Sequence, residues 1–155
     1  AMRLLLVRHG EAWEGGTQPG RPLTPRGEEE ACRAGRYLAR MGANPSVFWC
    51  SPKLRAEQTA VRLGACLGDR HPQRRPDLEP DADPASLKEE LESLGGEGLL
   101  VSHLPLLPRL ASLLLTGRED RIEFLWEPGG VLALRREGRG GWRLERFTPP
   151  DDMAS

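Results

Sequence analysis

The stretch that most constrains this chain is Leu4-Leu5-Leu6-Val7-Arg8-His9-Gly10-Glu11, four apolar residues running directly into an arginine, a histidine and a glycine. A short, wholly apolar run bounded by glycine reads as a strand buried on both faces, and so as a central strand of an α/β sheet. In open α/β sheets, ligands bind just beyond the carboxyl ends of the strands. That position here carries a fixed cation, an imidazole and a glycine expected to let a ligand approach the backbone. Together they are suited to holding an anion against a nucleophile.

The chain has 155 residues and no internal repeat, which predicts a single α/β domain over residues 1–155 with a self-sufficient core. Its formal net charge of -1 provides no general field for nucleic acid or anionic membrane, so any basic site must be local. No apolar run approaches the ~18 residues needed to cross a bilayer, and no signal-peptide pattern is present, which leads to the expectation of a cytoplasmic protein. Cys32, Cys50 and Cys66 are odd in number and widely spaced, arguing against a disulfide framework or a CxxC metal site.

Further along, residues 12–21 are Gly-rich, contain Trp13 and Gln18, and read as a loop bordering the first strand's end. Thr24-Pro25 predicts a helix start, with Ala31, Ala34, Leu38 and Met41 as its apolar stripe and Gly42 as its stop. Val47 to Cys50 reads as a second buried strand. Ser51-Pro52 then predicts a cap and start for a helix to about Leu67, with Arg55 in its first turn. A guanidinium there, together with unpaired backbone N–H groups, can point at one anion. The polar, Pro-rich segment 68–80 is expected to hold one short strand near Asp77-Leu78, and Asp83-Pro84 to cap a helix carrying Leu87, Leu91 and Leu94. Residues 98–103 repeat the opening pattern, an apolar run ending in His103, followed by a helix from about Pro105 to Thr116 with Pro108 in its first turn. Ile122 to Trp126, Val131 to Arg135 and Trp142 to Phe147 read as short strands closing the sheet antiparallel.

If those strands are neighbours, Arg8 and His9, Arg55, and His103 converge. Two guanidiniums can hold the oxygens of a phosphoryl group while an imidazole nitrogen attacks phosphorus in line, giving a phosphohistidine that water later hydrolyses. Arg8-His9-Gly10-Glu11, the block from Ser51 to Ala60 (SPKLRAEQTA), and Ser102-His103 together resemble the histidine phosphatase superfamily. Leu23-Thr24-Pro25-Arg26-Gly27 and Val101-Ser102-His103-Leu104-Pro105-Leu106 resemble its small protein-phosphohistidine phosphatase branch, the SixA type. The similarity runs in order over roughly residues 3 to 135.

The resemblance implies a phosphoglycerate mutase-like three-layer α/β/α sandwich with a mostly parallel sheet and antiparallel edge strands. It implies His9 as nucleophile, Arg8 and Arg55 as ligands of the phosphoryl oxygens, and His103 as the group completing the pocket, with no metal and no cofactor. Larger members place a carboxylic acid on an inserted lid that this chain is too short to contain. Asp77 or Glu79 could stand in for it, and Glu11 and Trp13 are candidate substrate-loop contacts. The expected partner is a phosphohistidine protein or a small phosphomonoester, with no nucleic acid or membrane, for a monomer or weak dimer. A broad phosphomonoesterase and a non-catalytic phosphate-reading or protein-interaction module are the alternatives.

Overall fold

A computed structural model describes residues 1–16 and 18–154, so one position of the loop expected over 12–21 lies outside the described residues. The elements are β1 (Met2–Arg8), α1 (Pro25–Arg40), β2 (Val47–Cys50), α2 (Leu54–Cys66), β3 (Gln73–Arg74), α3 (Pro84–Glu92), β4 (Gly96–Ser102), α4 (Leu106–Thr116), β5 (Val131–Arg136) and β6 (Trp142–Thr148). The six strands form one sheet in the order β3-β2-β4-β1-β5-β6. β1 to β4 run parallel, while β5 and β6 pair antiparallel.

β1 is central, as its unbroken apolar run requires. Strand side chains alternate between faces, so Leu4 and Leu6 enter one core layer with Leu87, Leu91, Leu107 and Leu110 of α3 and α4. Leu5 and Val7 enter the other, with Ala34, Leu38, Ala60 and Leu63 of α1 and α2. Leu4, Leu5 and Leu6 are fully buried, each contributing about 1.5–3 kcal/mol of transfer free energy. The result is the expected α/β/α sandwich.

Register then levels the strand ends. Arg8 of β1 pairs with Ser102 of β4, and Cys50 of β2 pairs with Val101. The residues just beyond, His9, His103 and Ser51, therefore emerge along one edge of three adjacent strands. The His9 amide donates to the Ser102 carbonyl (3.1 Å) and the Ser51 amide to the Val101 carbonyl (3.0 Å), so the ladder continues into the site.

Three expectations are corrected. The short strand near Asp77-Leu78 lies earlier, at Gln73–Arg74, and Pro76–Leu78 is a 3-10 turn. Proline has no amide to give a ladder and presets φ for a turn start, and the Leu78 amide closes on the Arg75 carbonyl at 3.0 Å. Ile122 to Trp126 is not a strand: Phe124 and Trp126 pack edge-on against Phe147, and the Trp126 carbonyl accepts from the Arg8 guanidinium rather than from a neighbouring strand. Finally, Ser51 does not cap α2, which begins at Leu54 with Lys53 as its N-cap and no side-chain cap bond; the Ser51 hydroxyl accepts from the Lys53 amide ahead of the helix and meets His103.

Candidate active site

His9 and His103 meet edge to face with ring centroids 5.0 Å apart. His9 is 9% exposed, and its Nδ1 lies 2.6 Å from the Gly10 carbonyl. A carbonyl only accepts, so Nδ1 carries the proton and Nε2 keeps its lone pair. Burial is the main reason its pKa falls from 6.5 to about 4; the Gly10 bond opposes this, and Arg55, Arg8 and Arg21 reinforce it. His103 is 1% exposed, and its Nε2 is 2.7 Å from the Ser51 hydroxyl. Burial again dominates, with His9, Arg55, Lys53 and Arg21 adding to it, and its pKa drops to about 3. Both imidazoles are therefore neutral near pH 7.

The cations come from separate elements. Arg8 ends β1, donates to the Trp126 carbonyl, and keeps its Nε buried without a partner. Burial lowers its pKa, and nearby Glu30 pulls the other way. Arg55 lies in the first turn of α2 and has no carboxylate partner among the described residues. Its own acidity is raised first by burial and then by Arg21. The α2 turn is tied to the nucleophile loop through Thr59, whose hydroxyl donates to the Arg55 carbonyl (2.8 Å) and accepts from the Gly10 amide (3.1 Å).

Arg21 is a cation that sequence reasoning missed. It takes a left-handed backbone conformation (φ 52°), its Nε donates to the Trp13 carbonyl at 2.9 Å, and its charge acts on His9, His103 and Arg55 together. A non-glycine residue in that region costs free energy and is held there by its surroundings. The only sequence signal was its place at the end of the Gly-rich loop.

Gly10 also has a packing reason. A Cβ there would lie 2.4 Å from the Gly27 carbonyl oxygen, and one at Gly27 would lie 1.9 Å from that of Glu11. The first turn of α1 packs backbone to backbone on the loop after His9, a close approach made by the chain itself.

The remaining candidates make other bonds. The Glu11 carboxylate accepts from the Thr24 hydroxyl (2.8 Å), while its amide donates to Glu30 (2.8 Å), so Glu11 braces the start of α1. Trp13 is exposed and holds Arg21 through its backbone. Asp77 is taken by Arg75, at 2.7 and 3.1 Å, and Arg75 also binds Glu90 and stacks 4.0 Å over Trp49. This brace occupies the carboxyl that a proton donor would need free. Glu79 pairs with Lys53 at 3.4 Å on the exposed rim. Among other nucleophile types, the Cys50 thiol is pushed up to about 12 by burial and is inert. No helix among the described residues is long and apolar enough to cross a membrane.

Two neutral imidazoles, one with a free lone pair, lie in the field of guanidiniums that make no carboxylate ion pair among the described residues. Such a set binds a tetrahedral oxyanion and supports nucleophilic displacement at its centre. Comparison with known proteins agrees. Residues 4–80 match the histidine phosphatase superfamily (branch 1). The chain is 33% identical to phosphohistidine phosphatase SixA of Escherichia coli K12 over 122 residues, covering 75% of this chain and 76% of that protein. It is also similar to a tungstate complex of the protein histidine phosphatase SixA (25% identity, TM-score 0.87, 97% and 99% of the two chains covered). The mycobacterial glucosyl-3-phosphoglycerate phosphatase shares the fold at 18% identity (TM-score 0.76, 96% and 99% covered). Fold, motif order and overall similarity agree, and this chain belongs to the histidine phosphatase superfamily and is a phosphatase.

Proposed function

We propose that the protein removes the phosphoryl group from phosphohistidine in a protein substrate, through a phosphohistidine formed on His9. The observation that carries this is the fixed tautomer of His9: with Nδ1–H bonded to Gly10, Nε2 keeps its lone pair on a ring that meets His103 edge to face. Nε2 attacks phosphorus, a new P–N bond forms, and the bond to the substrate's imidazole nitrogen breaks with its electron pair on the leaving ring, which takes a proton from solvent. Water then displaces His9 from phosphorus, releasing inorganic phosphate and the free imidazole. Arg8 and Arg55 hold the equatorial oxygens and offset their charge in the transition state. Nothing in this sequence requires a metal or a cofactor.

Two features support a protein substrate. The relative in Escherichia coli carries the name phosphohistidine phosphatase. In addition, large apolar side chains are exposed at positions adjoining two site residues in the chain, Leu54 before Arg55 and Leu104 after His103. An apolar rim suits contact with a folded surface better than with a small sugar phosphate. A phosphorus–nitrogen bond also needs less acid assistance than an alkyl ester, which fits the engagement of Asp77 and Glu79 elsewhere.

The test is to trap labelled phosphate on the enzyme and to compare phosphohistidine protein, p-nitrophenyl phosphate and sugar phosphates as substrates. An acid-labile, base-stable adduct lost in His9→Ala, with the phosphoprotein turned over fastest, is expected. Preference for sugar phosphates would make it a small-molecule phosphomonoesterase, and saturable binding without an adduct would make it a phosphate reader.

A further inference from the structure

We propose that Ser51 is a positioning residue that holds His103 in the tautomer with its proton on Nδ1, so that His103 donates a hydrogen bond to the phosphoryl group that His9 attacks. This rests on the reaction proposed above for His9.

Ser51 is fully buried at the end of β2. Its oxygen has two partners, the backbone amide of Lys53 at 3.2 Å and His103 Nε2 at 2.7 Å. An amide only donates, so the hydroxyl accepts from Lys53 and its single proton remains to be placed. If His103 carried its proton on Nε2, that proton would go to Ser51. The serine proton would then have no acceptor, and Nδ1 would be a bare lone pair without a donor. If instead the serine donates to Nε2, both of its bonds are made and the ring proton sits on Nδ1. Leaving one polar group unmet costs less than leaving two, by roughly 1–3 kcal/mol for each buried group.

The group left unmet belongs to the ring that meets His9. His103 Nδ1 is buried without a partner, and it is on the side of the ring away from Ser51. Arg8 Nε is unpartnered and buried in the same way. Two donors without acceptors, on two residues of one pocket, are what a phosphoryl group with several oxygens would satisfy.

The two imidazoles thus have opposite assignments. A backbone carbonyl holds the proton of His9 on Nδ1 and frees Nε2 as a lone pair, while a serine hydroxyl occupies Nε2 of His103 and leaves its Nδ1 as a donor. One ring attacks and the other receives the charge. Without Ser51 the neutral His103 ring would populate both tautomers, and the one with a lone pair on Nδ1 would repel the phosphoryl oxygens.

Long-range nitrogen–proton correlation spectra of the histidine rings at pH 7, in the full chain, read the tautomer directly. The wild type should show His103 protonated on Nδ1. Ser51→Ala should show a mixture, with kcat lowered on the order of tenfold to a hundredfold and KM changed much less, because the donor acts on charge that develops in the transition state. Ser51→Thr, which retains the hydroxyl, should keep the wild-type tautomer and recover part of kcat. A wild-type ring protonated on Nε2 would overturn the proposal, as would Ser51→Ala with the tautomer or kcat unchanged. Label trapped on His9 in the same samples separates the two readings. No adduct in the wild type sinks the His9 reaction, whereas a normal adduct with an indifferent Ser51→Ala sinks the role of Ser51 alone.

Discussion

Gly27→Ala sets two physical effects against each other. Gly27 lies in the first turn of α1, where helix propensity alone predicts that alanine stabilises by about 1 kcal/mol. The structure predicts the opposite sign. The new Cβ would sit 1.9 Å from the Glu11 carbonyl oxygen and 2.9 Å from the Glu11 nitrogen, both backbone atoms that cannot rotate away. Relieving 1.9 Å to an ordinary contact of 3.4 Å needs a displacement of about 1.5 Å between α1 and the loop after His9. Overpacking of this kind costs about 1–3 kcal/mol. The bond from the Thr24 amide to the Glu11 carbonyl, 3.0 Å, spans the same contact and contributes about 1 kcal/mol more when lost. Set against the propensity gain, the net loss is about 2 kcal/mol, or a fall in Tm of roughly 4–8 °C for a chain of this size. Because the displaced loop carries His9 and Gly10, kcat/KM should also fall, on the order of a hundredfold for a misplacement near 1 Å. Urea titration and hydrolysis of p-nitrophenyl phosphate measure the two effects. A variant as stable as the wild type, or more so, with full activity would refute the claim that these two backbones touch.

Other outcomes follow from the same geometry. Arg55→Ala should cost about 3 kcal/mol of transition-state stabilisation, a hundredfold or more in kcat/KM, while leaving stability within about 0.5 kcal/mol, because no carboxylate is stranded; a large loss of stability with little loss of rate would reverse its role. Arg21→Ala should weaken tungstate or vanadate binding and raise KM with a smaller change in kcat, and equal affinity for both proteins would remove Arg21 from the pocket. Keeping His9 neutral depresses its folded pKa from 6.5 to about 4, so the associated stability is complete above about pH 6.5 and is lost as pH falls toward 4. Over that window the wild type should lose stability more steeply than His9→Asn, by about 1.4 kcal/mol per pH unit, and parallel urea-titration curves would argue against a buried neutral ring. Asp77→Asn should leave kcat within about twofold and cost at most about 1 kcal/mol of stability, since its bond to Arg75 is a partly exposed brace; a collapse of kcat would restore Asp77 as proton donor.

The parts of the site that were legible in the sequence are those whose meaning is local. An apolar run ending in Arg8-His9, and another ending in Ser102-His103, announce two buried strands with chemistry at their carboxyl ends. The parallel register that levels them follows once both strands are central. Arg55 was readable from its place in a helix's first turn. Arg21 was not, because its relevance depends on how a Gly-rich loop folds back, and no periodicity encodes that. Ser51 was misread for a related reason: as a cap it would bond within its own helix, but its hydroxyl reaches 52 residues along the chain to His103. Gly10 and Gly27 show the same limit. Glycine signals close approach, and only the fold says which surface approaches. Ile122 to Trp126 has strand composition, yet its ring contacts and the Arg8 guanidinium claim it for another layer.

The polar groups gathered here share one property: each is held in an arrangement that is unfavourable until an anion arrives. His9 and His103 are buried as neutral rings among guanidiniums, Arg21 sits at a positive φ, and Arg8 Nε and His103 Nδ1 lack partners among the described residues. Each unmet buried donor costs roughly 1–3 kcal/mol, and the neighbouring leucine layers offset that cost. In the reaction proposed for His9, a tetrahedral oxyanion would reverse the balance, accepting from the unmet donors and screening the cations from one another, and the donors would need no reorganisation as charge shifts in the transition state. In that reaction, the same physics that makes these residues poor contributors to folding would make them effective at the reacting centre.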